Sequence, residues 1–248
     1  MRIMITQILE ITMAALKLPT KMVAARWKLD IHMGAVSRSY NKVRAELTEV
    51  GLLADGVFLD STEVQVALMT SMGEAGYVFE KSNPLTRLLG FQEGVIYLPG
   101  DLPDLTYVPG GTVTDTIRHE YAHVWHWMNP EFFELPWYQR AFSIPYDDTR
   151  LSPRDQWGAK MSRSRSFMKT YNACRSSAAQ DSLLRRSMRN EFVSEYASTL
   201  SREDFAETFF TYLKYRNSLE RFKSRTGVYR KLMAVKQAVR TKRRELGL

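Results

Sequence analysis

The segment Thr112-Val113-Thr114-Asp115-Thr116-Ile117-Arg118-His119-Glu120-Tyr121-Ala122-His123-Val124-Trp125-His126-Trp127-Met128-Asn129-Pro130 carries the most specific pattern in this chain. Thr112 with Asp115 three residues on has the spacing of a capping box and predicts a helix start. Asn129-Pro130 predicts its end, because the residue before a proline disfavours helical backbone. Three of the chain's four histidines fall between these marks. On a helix, His119 and His123 lie one turn apart on one face. Two imidazole nitrogens so placed can meet a single Zn²⁺ at ~2.0–2.1 Å, and Glu120, the next residue, can reach a water on that ion. Zinc lowers the pKa of its water from 15.7 to about 7, so a carboxylate can take the proton at neutral pH. The expected class is a zinc-dependent hydrolase with Glu120 as general base.

A catalytic zinc needs a third protein ligand and one open position. His126 is close in sequence, but seven residues of helix carry its ring ~10 Å along the axis from that of His119. It is read as a wall or outer-shell residue. The longer pattern with a third histidine six residues after His123 is absent, since position 129 is Asn129. Downstream, Ser201 and Asp204 have capping-box spacing, which predicts a helix from near Arg202 through Leu213. Glu203 and Glu207 are one turn apart on that helix. Like charges so spaced repel by a few tenths of a kcal/mol unless a cation and a donor N–H engage them. Glu203 is expected as the third ligand and Glu207 as the acceptor that orients His119 or His123. Asp204 points about 100° away and is assigned to capping. The blander alternative is an acidic first turn that complements the helix dipole.

His119-Glu120-x-x-His123, followed by Ser194-x-Tyr196-Ala197 and Glu203-Asp204-Phe205-Ala206-Glu207, resembles the lethal-factor-type gluzincin metallopeptidases and related bacterial zinc-binding peptidases. The resemblance covers roughly residues 93 to 213. It implies zinc held by His119, His123 and Glu203, with Tyr196, seven residues before Glu203, assisting the oxyanion. It also implies an α+β, zincin-like metallopeptidase domain: a small sheet, an active-site helix and a C-terminal helical part. Asp204 stands where lethal factor itself has an aromatic residue. The expected activity is endoproteolysis of a protein or peptide substrate.

Composition narrows the setting. The chain has 248 residues, 44% of them hydrophobic, with 12 Phe, 12 Tyr and 5 Trp, enough to bury a core and to exclude a disordered class. Its single cysteine, Cys174, excludes an internal disulfide and a cysteine zinc ribbon. The apolar run at residues 1–12 is interrupted by Thr6, Gln7, Glu10 and Thr12 and is read as an amphipathic helix rather than a signal peptide. No segment has the length of a membrane span. A cytoplasmic protein is therefore expected, with phage origin or delivery as an effector left open.

The rest of the chain is organised around that segment. Helical periodicity marks residues 21–50. Strand-like runs follow at Val57–Leu59, Val64–Met69, Tyr77–Phe79 and Gly94–Leu98, and the run around Val95-Ile96-Tyr97 is expected to offer an edge to an extended substrate. Residues 130–155, with four prolines, read as a long surface loop, and a basic, serine-rich helical stretch follows from Trp157 to Arg189. The expected organisation is an N-terminal helical segment (1–50), the zincin-like domain (51–220) and a basic C-terminal helix (221–248).

The net charge of +8 gathers at the end: ten basic and no acidic residues lie between Arg221 and Arg244. A solvated helix face is one reading, with Val228, Leu232, Val235 and Val239 as its buried stripe. A surface for nucleic acid or acidic protein is the other, although the aromatic residues among those charges, Phe222 and Tyr229, do not interleave them as regularly as single-strand binders prefer. Two competing functions stay open: a DNA-associated, SprT-like protease, and a non-catalytic zinc-containing module that binds a partner.

Overall fold

The computed structural model describes residues 22–53, 64–67, 77–78, 95–99, 112–142 and 152–247. The expected N-terminal amphipathic helix and the Val57–Leu59 run lie outside these residues. Helices dominate the described residues: α1 (Met22–Glu49), α2 (Val113–Met128), α3 (Glu131–Glu134), α4 (Pro136–Phe142), α5 (Pro153–Arg163), α6 (Arg165–Asn172), α7 (Ser177–Glu191), α8 (Ser201–Tyr215) and α9 (Thr226–Glu245). Strands β1 (Val64–Ala67), β2 (Tyr77–Val78) and β3 (Ile96–Pro99) form one three-stranded sheet. The described residues are mostly helical, and this does not support the expected mixed α+β, zincin-like domain. No helix among the described residues is long and apolar enough to cross a membrane.

The chain divides into two compact units, Met1–Glu46 with Ser61–Glu120, and Leu47–Asp60 with Tyr121–Leu248. In the first, the sheet order is β1-β3-β2, with β1 parallel and β2 antiparallel to β3. Ile96 faces Val64 on one side and Val78 on the other. The strand expected to offer an edge is therefore the centre of the sheet, its hydrogen-bonding positions taken on both sides. The continuous burial of Val95, Ile96, Tyr97 and Leu98 fits that position.

The same unit fastens the start of α2 to α1. Arg118 donates from Nε and Nη2 to the two carboxylate oxygens of Glu46, at 2.7 and 2.6 Å, and its Nη1 meets Asp115. Burial works against the guanidinium charge, but the carboxylates outweigh it and hold the pKa above its ordinary value. Thr112 accepts from the Asp115 N–H at 3.2 Å, the forward half of the expected capping box. The Asp115 side chain, however, is engaged with Arg118.

In the second unit, α1 ends in a Schellman motif. The Gly51 N–H donates to the Thr48 carbonyl and the Leu52 N–H to that of Leu47, with Leu47 and Leu52 both fully buried. Gly51 takes φ +74°, which only glycine adopts without strain. Beyond α2, the described part of the stretch expected as a loop is mostly helix: α3 and α4 bury Phe132, Phe133, Tyr138, Ala141 and Phe142. Three serines, Ser152, Ser164 and Ser176, each accept the backbone N–H three residues on and start α5, α6 and α7. The C-terminal helix buries Val228, Leu232, Val235 and Val239, the stripe read from the sequence.

Candidate metal centre

Two helices supply the side chains of interest, α2 with its histidines and α8 with its glutamates. An aromatic cluster joins them. Trp125, fully buried on α2, lies 5.7 Å from Phe205 and 5.4 Å from Phe209 on α8, ring centre to ring centre, and 5.9 Å from Phe132 on α3. Phe133 meets Phe205 edge-on at 4.7 Å. Edge-to-face and offset contacts of this kind add about 0.5–1.5 kcal/mol each beyond the area they bury. Trp125 is two residues after His123 and Phe205 two after Glu203, so the packing that holds the rings also sets the distance between the polar groups.

His119, His123 and Glu203 each offer a ligand atom within 4.8 Å of the others. His123 Nε2 lies 3.5 Å from Glu203 Oε2. Two atoms bound to one zinc at ~2.0–2.1 Å can be no more than about 4.1 Å apart. The His123–Glu203 pair already meets that limit, and the widest of the three spacings, within 4.8 Å, exceeds it by no more than about 0.7 Å. Arg202 Nε donates to Glu203 Oε1 at 3.1 Å, which leaves Oε2 as the oxygen that faces the imidazole. The donor set of two imidazoles and a carboxylate suits Zn²⁺ and leaves room for a fourth, exchangeable position.

The other expected residues occupy distinct places. Glu120 is buried beside His119 on α2. Glu207 is buried one turn beyond Glu203 on α8. Tyr196 opens the 3₁₀ turn Tyr196–Ser198 that precedes α8 and is the exposed member of the set at 39%. His126 is buried with its ring edge-on to Phe133 at 4.4 Å and lies outside the three-ligand group. Burial, and secondarily the nearby His123, pushes its pKa down to about 4, so the ring is neutral at pH 7.

Asp204 departs from its expected role. Helix α8 starts one residue before Arg202, at Ser201, and Leu200, in the capping position, makes no side-chain cap bond. Asp204 is instead buried and accepts from Lys231 Nζ of α9 at 2.6 Å. Burial pushes its carboxyl up to about 6 against the opposing pull of that ammonium. Lys231, only 1% exposed, also donates to the Glu191 carbonyl at 3.0 Å and lies 4.2 Å from the centre of the Phe192 ring. Its position among Leu232, Val235 and Val239 on an apolar helix face was a signal in the sequence: a lysine there is buried and requires an acid. Comparison with protein-family models, curated proteins and solved structures finds no match to this chain.

Proposed function

We propose that this chain is a zinc-dependent endopeptidase with a zincin-like site on a helix-dominated scaffold. The observation that carries the reading is the meeting of His119 and His123, one helical turn apart, with Glu203, eighty residues later, within 4.8 Å. His119, His123 and Glu203 would hold Zn²⁺. When bound, the ion supplies Lewis acidity that makes water acidic near pH 7 and polarises a peptide carbonyl.

The chain's own residues do the rest. Glu120 takes a proton from the attacking water and returns it to the leaving amine. Tyr196, exposed just ahead of α8, donates its O–H to the oxygen that gains charge on the carbonyl. Glu207 accepts an imidazole N–H and fixes which ring nitrogen faces the ion. Arg202 holds the second oxygen of Glu203.

The test is cleavage of a denatured protein pool alongside zinc content. Glu120→Gln keeps its zinc and loses about 10²–10⁴ in rate, the usual contribution of a general base. Glu203→Ala loses zinc. Full activity in Glu120→Gln removes Glu120 from the role of base, and a wild-type chain that holds zinc but cleaves nothing is a non-catalytic zinc module. Zinc retained in Glu203→Ala but lost in Glu207→Ala assigns the ligand to the wrong glutamate.

A further inference from the structure

The basic residues at the chain's end are not equivalent. Lys231 is buried against Asp204, and Arg230 is paired with Glu191 at 2.5 Å while its Nε donates to the Ala141 carbonyl. Arg140 of α4, together with Lys236, Arg240 and Arg244 of α9, makes no ion pair among the described residues. These four line a groove of about 640 Å³ between the two helices, and among the described residues no acidic side chain joins them there. Trp137, half-buried, and the exposed Met233 supply its apolar surface. The aromatic residue of the groove is thus brought in from a different helix than most of its charges.

We propose that this groove binds single-stranded nucleic acid, with the four cations on successive phosphates and the Trp137 indole stacked on a base. The spacing favours a polymer. From Lys236 to Arg244 the helix rises about 12 Å, with Arg140 on the facing wall, farther than one phosphate group can span. The indole favours a strand whose bases are free to stack, which a duplex does not offer. An acidic peptide would satisfy the cations but has no use for the ring. None of the three metal ligands lines the groove, so the inference does not depend on the protease reading.

Binding is read by fluorescence anisotropy with the full-length protein and labelled oligo(dT) or oligo(rU) of about 16 nucleotides, near the upper site size of a single fold. Duplex, heparin and polyglutamate serve as competitors. Four phosphate contacts predict that log K falls with log salt at a slope of about −3 for a single strand. Arg240→Gln combined with Arg244→Gln brings that slope to about −1.4. Trp137→Leu weakens binding roughly 5- to 150-fold with the slope unchanged. Both arginines are exposed, so the double variant keeps the wild-type melting temperature even if the tryptophan variant does not. The proposal is overturned by absence of binding at low salt, by affinity that both variants leave intact, or by duplex, heparin or polyglutamate competing as well as the single strands. None of these readouts uses hydrolysis.

Discussion

Lys231 shows how much one side chain can decide. Its ammonium is the counter-charge to Asp204, and both groups are almost wholly out of water. Removing one partner of such a pair leaves an uncompensated buried charge and typically costs about 3–5 kcal/mol. Lys231→Met is therefore expected to lower urea stability by that amount. Adding Asp204→Leu restores most of it, because an apolar pair of similar volume is often neutral. A double variant as unstable as the single one would mean that the lysine matters through its bond to the Glu191 carbonyl instead. Asp204 adjoins Glu203 in sequence, so the pair also anchors the turn of α8 that presents the candidate ligand. The run of charges in the sequence does not separate Lys231 from its neighbours; only its place on the apolar face does.

At the scale of elements, two glycines give a controlled comparison. A Cβ on Gly227, in the first turn of α9, would stand 2.8 Å from the Glu191 Cα, a backbone atom that cannot swing away. Gly158, inside α5, has nothing within 4 Å of its Cβ position. Alanine is favoured over glycine in a helix interior by about 1 kcal/mol. Gly158→Ala is accordingly expected to raise the melting temperature by roughly 2–4 °C. Gly227→Ala is expected to lower it, since overpacking of about 1–3 kcal/mol exceeds the propensity gain. Equal shifts in calorimetry would show that α7 and α9 can separate without cost. Elements were legible where their signals are local: the ends of α2, the start of β3 and the buried stripe of α9 follow from caps, prolines and period. The described parts of residues 130–155 were misread because proline was taken only as a breaker. Pro136 and Pro153 instead occupy the first positions of α4 and α5, where a missing N–H costs nothing. The pairing of β3 on both sides depends on partners distant in sequence, which no local pattern reveals.

For the molecule as a whole, the site was more legible than the scaffold. Histidine spacing on one helix and glutamate spacing on another are local properties, and they single out the three side chains that the structure groups. The helix-dominated architecture, the Arg118–Glu46 clasp and the groove of α4 and α9 depend on long-range packing instead. Zinc binding gives a prediction at this scale. A ligand that binds only the folded chain, at 1,000 times its Kd, stabilises by about 4.1 kcal/mol. Chelation is then expected to lower the melting temperature by roughly 10 °C, a shift absent in Glu203→Ala. A chelator that leaves wild type unmoved would mean that the three side chains hold no zinc.

The stack of Trp125 on Phe205 has a practical consequence. An indole clamped between rings absorbs and emits in an asymmetric, water-free setting, and it links the helix of His123 with that of Glu203. Any loosening of those helices should weaken near-ultraviolet dichroism and redden the emission. The polypeptide thus carries its own optical gauge of whether the two are still in register, with no added probe.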